Sequence, residues 1–375
     1  MSEIAMWIFV VLFTLALMAV AVVFFISRVR KFGFIQKIGK GKKSTTNIAA
    51  IITTMIACGI LAIIFGAINT VIIFIHWGGI WVITTFIQWL IRKIRHSTST
   101  KDHTGIITLI LTAIYMSVSA YLCMHVWQTN YDLSTSKNIG QLRVIQFSDS
   151  HVGTTFSGAE LQQYVDQMNE LHPDIVVITG DYVDDATGYQ DMVDACAALG
   201  NLETTYGVYY SFGNHDKGYY DNSDRGYDAD MLIAELEANG VTVLQDEAVL
   251  VDDRFYVVGR QDKSEETQRD NVRATMDELL GGLDHSKYII VLDHQPNDYD
   301  AQAAAGADLV LSGHTHGGQF LPINRIGELT GANDYTYGHT HIDNTDFIVS
   351  SGIADWELYF KTGCYSEYVV IDIAQ

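Results

Sequence analysis

From Ile48 to Ile91 the chain carries no Asp, Glu, Lys or Arg. About twenty apolar residues suffice to cross a bilayer as a helix, so a run of this length holds material for two crossings. The expected spans are 48–68 and 71–91, with the break between them at Asn69-Thr70 or at 76–79. Two further uncharged stretches, 5–26 and 105–127, complete an all-α region of four expected spans within residues 1–130. The first has no small-residue cleavage site and runs directly into Arg28, Arg30 and Lys31, which reads as an anchor rather than a removed leader. Tyr115, Tyr121 and Trp127 fall toward the aqueous margin of the last. Within the spans His76 is the main ionisable side chain, which favours an anchor bundle over a transport path.

Charge divides the chain sharply. Residues 1–137 hold 12 of the 23 basic residues but only three of the 44 acids, Glu3, Asp102 and Asp132, a balance of +9. Residues 138–375 hold the other 11 bases and 41 acids, a balance of −30. Such halves belong in different surroundings. Arg28, Arg30, Lys31, Lys37, Lys40, Lys42 and Lys43 follow the first span, and Arg92, Lys93, Arg95 and Lys101 follow the third. Both loops read as cytoplasmic, which with four spans places the acidic domain on the far side of the plasma membrane. A domain so acidic repels nucleic acid and argues against a nucleic-acid partner. Cys58, Cys123, Cys196 and Cys364 are too few and too scattered for a disulfide framework.

After a polar linker at 131–140, the domain 141–375 repeats one pattern. An apolar strand ends in a residue that can bind a metal or move a proton. Strand 142–147 leads to Asp149 and His151, 174–179 to Gly180 and Asp181, and 207–212 to Gly213, Asn214, His215 and Asp216. Strand 288–292 leads to Asp293 and His294, and 309–312 to Gly313, His314, Thr315, His316, Gly317 and Gly318. Between them a capping box at 157–160 opens a helix to Leu171, with further helices at 190–199 and 266–280. Short strands at 241–244, 248–251 and 255–258 extend or pair a second sheet, and 347–351 and 365–373 add the last. This alternation predicts an α/β fold whose functional side chains gather at the carboxyl ends of its strands. Each end has a bland reading: Asp149 and Asp181 as turn or cap residues, Asn214 in a left-handed turn, His294 in a pre-proline loop. Five such readings, all at the end of an apolar strand, are jointly improbable. Alternation along an extended backbone would put His314 and His316 on one side, with the neighbouring glycines easing the turn.

In order and spacing these blocks resemble those of the calcineurin-like metallophosphoesterases, over about residues 144–318. The Gly-His-Thr-His-Gly-Gly-Gln form at 313–319, with a multi-span N-terminal region, is similar to the membrane-associated branch. That branch includes transmembrane proteins with a metallophosphoesterase domain and relatives of UDP-2,3-diacylglucosamine hydrolase. The resemblance implies a four-layer sandwich of two mixed β-sheets flanked by helices. It implies that Asp149, His151, Asp181 and His316 hold one divalent cation and that Asp181, Asn214, His294 and His314 hold a second, with Asp181 bridging. Nitrogen and oxygen donors without thiolate suit Mn foremost, and Fe or Zn as well. Two such cations generate a hydroxide nucleophile and clamp phosphoryl oxygens for in-line displacement. His215 is then expected to protonate the leaving group or stabilise the transition state, and Asp216 to orient it. Ser150 and Asp293 depart from the commoner residues of the pattern, and neither removes a ligand.

The expected activity is hydrolysis of a phosphate ester or pyrophosphate bond in a lipid or cell-envelope substrate by a membrane-anchored enzyme. A nucleotide-linked substrate fits an extracytoplasmic site poorly, because the nucleotide pool is cytoplasmic. Two alternatives stand beside it: a phosphatase or nucleotidase for soluble substrates, and a non-catalytic sensor of a phosphorylated ligand. Residues 217–230 read equally as a lid or a solvated loop. Residues 337–341 repeat the His-x-His spacing at His339 and His341 without a preceding apolar strand and read first as a loop. Arg260 reads as a surface ion pair or a phosphate contact.

Overall fold

Ile175–Thr179 is buried at every residue, which requires cover on both faces of its sheet. The computed structural model describes residues 20–96, 102–219 and 225–375 and divides into two compact units, Met1–Val118 and Ser119–Gln375. The strands of the second unit are β1 (Val126–Ser134), β2 (Gln141–Phe147), β3 (Ile175–Thr179), β4 (Val208–Ser211), β5 (Val241–Leu244) and β6 (Glu247–Val251), then β7 (Phe255–Gly259), β8 (Tyr288–Leu292), β9 (Leu309–Ser312), β10 (Gly338–Ile342), β11 (Thr345–Val349) and β12 (Ser366–Ala374). They form two six-stranded mixed sheets, ordered β1-β12-β2-β3-β4-β5 and β10-β11-β9-β8-β7-β6. β2 to β5 run parallel in the first, and β7, β8, β9 and β11 in the second.

Alternate residues of the same strands fill opposite cores. Val144, Val177, Phe255, Ile290, Leu311 and Ile371 pack between the two sheets. Ile145, Val176 and Ile178 face outward against the helices Gln162–Asn169 and Tyr189–Leu199. Ile289, Val291 and Val310 do the same against Met276–Leu280 and Tyr299–Ala304. The layers are therefore helix, sheet, sheet, helix, and both sheets bring strand ends to one edge.

Several local expectations shift. The capping box is present, with Ser157 Oγ accepting from the Glu160 amide, but it opens a 3-10 turn before the α-helix begins. The helix expected over 266–280 is two short ones, Ser264–Gln268 and Met276–Leu280. Residues 131–134, read as the start of a linker, continue β1, which pairs in parallel with β12. His339 and His341 lie in β10, an edge strand, rather than in a loop.

In the first unit, most of the expected span 5–26 lies outside the described residues, and Val20–Val29 is helical. The expected spans 48–68 and 71–91 are one helical stretch, Lys43–Ile94, broken only at Gly66, where φ is 78° and ψ 169°. Asn69 and Thr70 are buried within the helix, so the break falls at the glycine, which has no side chain to oppose that conformation. Thr104–Met124 is a second long helix, and among the described residues these two are long and apolar enough to cross a membrane. Val126 and Trp127, placed in the fourth span by sequence, belong to β1. Phe25 packs on Phe74 and Trp77, with ring centroids 5.1 and 4.8 Å apart.

Candidate metal centre

The loops after β2, β3 and β4 of one sheet meet those after β8 and β9 of the other. Asp149, His151, Asp181, Asn214, His294 and His316 are all buried there. Asp149, His151, Asp181, His314 and His316 have positive φ, between 36° and 69°, a region non-glycine residues seldom occupy. Strain of this kind persists where surrounding structure over-determines it. It also corrects the reading of His314 and His316 as alternating on an extended backbone. Thr315 is right-handed helical between two left-handed residues, and the two rings go to different clusters. Close approach explains two of the glycines: a Cβ on Gly313 would stand 2.4 Å from Asp149 Oδ2, and one on Gly213 2.2 Å from Asp181 Oδ1.

Two clusters have ligand-type atoms within 4.8 Å of one another: Asp149, His151 and His316, and Asp181, His294 and His314. Asp181 Oδ2 lies 3.7 Å from His151 Nε2 and 3.2 Å from His294 Nε2, so one oxygen faces both. Asn214 Oδ1 is 2.9 Å from His314 Nδ1. His294 Nδ1 is 2.7 Å from the Thr179 carbonyl, which can only accept; Nδ1 therefore carries the proton, and in the neutral ring Nε2 keeps a lone pair. His294 Nε2 and His151 Nε2 are buried without a hydrogen bond, while His151 Nδ1 faces Asp184 Oδ2 at 3.4 Å. Leaving such groups unpaired costs roughly 1–3 kcal/mol each, and a divalent cation is the partner that this nitrogen and oxygen set fits. Burial opposes charge throughout, yet His294 holds the Asp181 carboxyl well below its usual range, and Asp181 holds His294 well above that of a free imidazole. Burial takes His316 down to about 3, which leaves it a neutral donor.

The expected pairing of His215 with Asp216 is not what the fold builds. Asp216 is fully buried, and its two oxygens accept from the amides of Asp181, Tyr182, Val183 and Gly213. It ties the β3 loop to the β4 loop. The carboxylate facing His215 Nδ1 is that of Asp185, at 3.6 Å. The His215 amide donates to Asp181 Oδ1 at 2.8 Å, and its ring stacks on Tyr219 with centroids 5.0 Å apart. Asp355 is a further carboxylate that sequence reasoning missed. Its Oδ1 lies 3.6 Å from His316 Nδ1, and its Oδ2 accepts from Gln319 Nε2 at 2.6 Å. Asp355 follows β11, a sixth strand end, and its position there was the available signal.

Asp293 and Arg260 are both buried and paired, at 3.2 Å, with Arg273 completing the group 3.4 Å from Asp293. Arg260 is thus neither a surface pair nor free to meet phosphate. His339 and His341 both bond to Asp346 Oδ1, at 2.8 and 2.9 Å. Of residues 217–230, the described part ends in the helix Ala229–Ala238, capped by Asp228, while 220–224 lie outside the described residues.

A profile of the calcineurin-like phosphoesterases matches residues 142–318. The chain is 31% identical over 218 residues to an uncharacterized metallophosphoesterase of Helicobacter pylori, covering 58% of this chain and 55% of that one. It is 32% identical over 246 residues to a transmembrane protein with metallophosphoesterase domain of Danio rerio, covering 64% and 54%. To the uncharacterized metallophosphoesterase YkoQ of Bacillus subtilis it is 28% identical over 235 residues, covering 60% and 82%. The chain thus spans about half the length of the first two relatives.

Proposed function

Since residues 142–318 are a calcineurin-like metallophosphoesterase domain, we propose that this chain is a membrane-anchored, metal-dependent phosphoesterase acting on a lipid or envelope phosphate. Asp149, His151, Asp181 and His316 would hold one divalent cation, and Asp181, Asn214, His294 and His314 the other. The observation that carries this reading is Asp181 Oδ2, which faces buried, unbonded imidazole nitrogens of both clusters. Such a cation pair supplies Lewis acidity toward the phosphoryl group and an activated water.

The chain's own residues supply the rest. The His294 to Thr179 bond fixes the ring's tautomer, and Asp355 faces the outer nitrogen of His316 in the same sense. His215, partly exposed and hydrogen-bonded through its amide to Asp181, is the proton donor for the leaving group. Asp185 and Tyr219 hold its ring. The membrane reading rests on the apolar helices: the arms of Lys43–Ile94 before and after Gly66 are 23 and 28 residues, each long enough for a crossing. The test is hydrolysis of bis-p-nitrophenyl phosphate by the purified full chain with added Mn²⁺. Turnover is expected, with loss in Asp181→Ala. Parent activity no higher than that of the variant would reject the enzyme and favour a phospho-ligand sensor.

A further inference from the structure

Immediately after the metal-cluster residues 314–316, the chain exposes a short apolar segment. Leu321, Ile323 and Ile326 are about half exposed and Leu329 is 83% exposed. Single exposed apolar residues are ordinary, but four within nine positions form a patch that a solvated loop would not keep. Residues 320–333 carry one base, Arg325, and one acid, Glu328, which pair at 3.8 Å. On a domain with a balance of −30, this is a neutral, greasy stretch.

The fold links the start of this stretch, through residues 361–362, to the last turns of an apolar helix. The amide of Leu321 donates to Thr362 Oγ1 at 2.9 Å, and the amide of Thr362 to the Gln319 carbonyl at 2.9 Å. Next in the chain, the Lys361 amide donates to the carbonyl of Ser119, inside Thr104–Met124, at 3.1 Å. Ser366 Oγ donates to the Cys123 carbonyl at 2.6 Å, which closes the same junction. Around it Tyr121, Trp127 and Tyr365 cluster, with centroids 6.3 and 5.8 Å apart. Aromatic rings at the end of a spanning helix mark the level of the lipid headgroups. Gln319, which starts the segment, also bonds to Asp355, which faces His316.

We infer that segment 320–330 dips into the bilayer surface beside the metal centre, so that substrate reaches the centre from the lipid phase. This rests on the membrane-anchored reading above. The occupant of the patch is the headgroup and acyl boundary of the bilayer. Continuity with the helix end and its aromatic ring cluster argues for lipid over a protein partner, and apolar side chains at that depth gain by leaving water.

Two measurements on the full chain in phosphatidylcholine and phosphatidylglycerol nanodiscs decide it. A nitroxide on Leu329→Cys, with the parent chain as background, is compared with one on Val272→Cys, a 79% exposed site elsewhere on the domain. The expected result is oxygen accessibility exceeding that of a water-soluble nickel chelate at position 329 and the reverse at 272. Chelate access at 329 equal to that at 272 would overturn the inference. The triple variant Ile323→Ser, Ile326→Ser, Leu329→Ser is expected to lose about tenfold in turnover of phosphatidic acid in the bilayer while hydrolysis of bis-p-nitrophenyl phosphate stays within about twofold. Equal losses on both substrates would also overturn it. A parent chain inactive on both esters would reject the phosphoesterase reading, whereas the nitroxide comparison would still decide the position of the segment.

Discussion

His215 and Asp216 are neighbours in sequence with different surroundings. Asp216 holds four buried amides from two loops, so Asp216→Ala orphans those donors at roughly 1–3 kcal/mol apiece, and a loss of at least about 3 kcal/mol is expected in denaturant unfolding. His215→Ala removes a partly exposed ring that holds no such network. It is expected to leave stability and metal content unchanged while kcat falls by about 10²–10⁴. Unfolding curves, bound-metal analysis and turnover on the two variants check this; a His215→Ala chain that loses its metal would assign the residue a structural role. The adjacency that suggested one residue orienting the other was misleading, because the turn after β4 gives consecutive side chains different surroundings. Asp185 is not legible in the sequence for the converse reason: it lies 30 positions from His215 and meets it only through the fold.

Elements show the same contrast between local and distant causes. The central strands were legible because burial on both faces leaves an unbroken apolar run. β1 and β10 are edge strands whose burial alternates, and their polar residues read as linker and loop. The segment after His215 is held by Lys217, whose Nζ lies 2.9 Å from Glu265 Oε1, with both side chains largely buried. Burial pushes the Glu265 pKa up, but hydrogen bonds from Lys217 and Asn271 prevail and hold it below the ordinary value. A depressed folded pKa contributes stability above the unfolded value of about 4.3, and that stability is lost as pH falls through the folded one. Glu265→Gln is therefore expected to unfold more easily by roughly 1–3 kcal/mol at neutral pH, with the difference closing below about pH 4. Thermal melts across that range test it; a difference that does not change with pH would show that the charge plays no part.

At the scale of the whole molecule, charge bears on which side of a membrane the acidic domain would lie. Basic residues after the first and third expected spans predict a C-terminus outside the cytoplasm. A C-terminal alkaline phosphatase fusion should be active and a green fluorescent protein fusion dark. The opposite pair would mean an odd number of crossings and would return nucleotide-linked lipids to the substrate list. The break at Gly66 bears on this count, because it divides one helical stretch into two arms of spanning length.

The sequence by itself determined the division into an apolar basic region and an acidic α/β domain, and the five strand ends that supply Asp149, His151, Asp181, Asn214, His294, His314 and His316. Those features are local: charge, apolar runs and the residues that stop them act within a few positions. Only the tertiary structure decided that Asp181 faces both clusters, that Asp216 ties two loops together, that Asp185 and Asp355 stand behind His215 and His316, and that Leu321 bonds to Thr362, whose neighbour Lys361 bonds to the last turns of an apolar helix. Each of these depends on loops brought together from distant parts of the chain by the pairing and stacking of two sheets, and the order of residues alone does not specify that geometry.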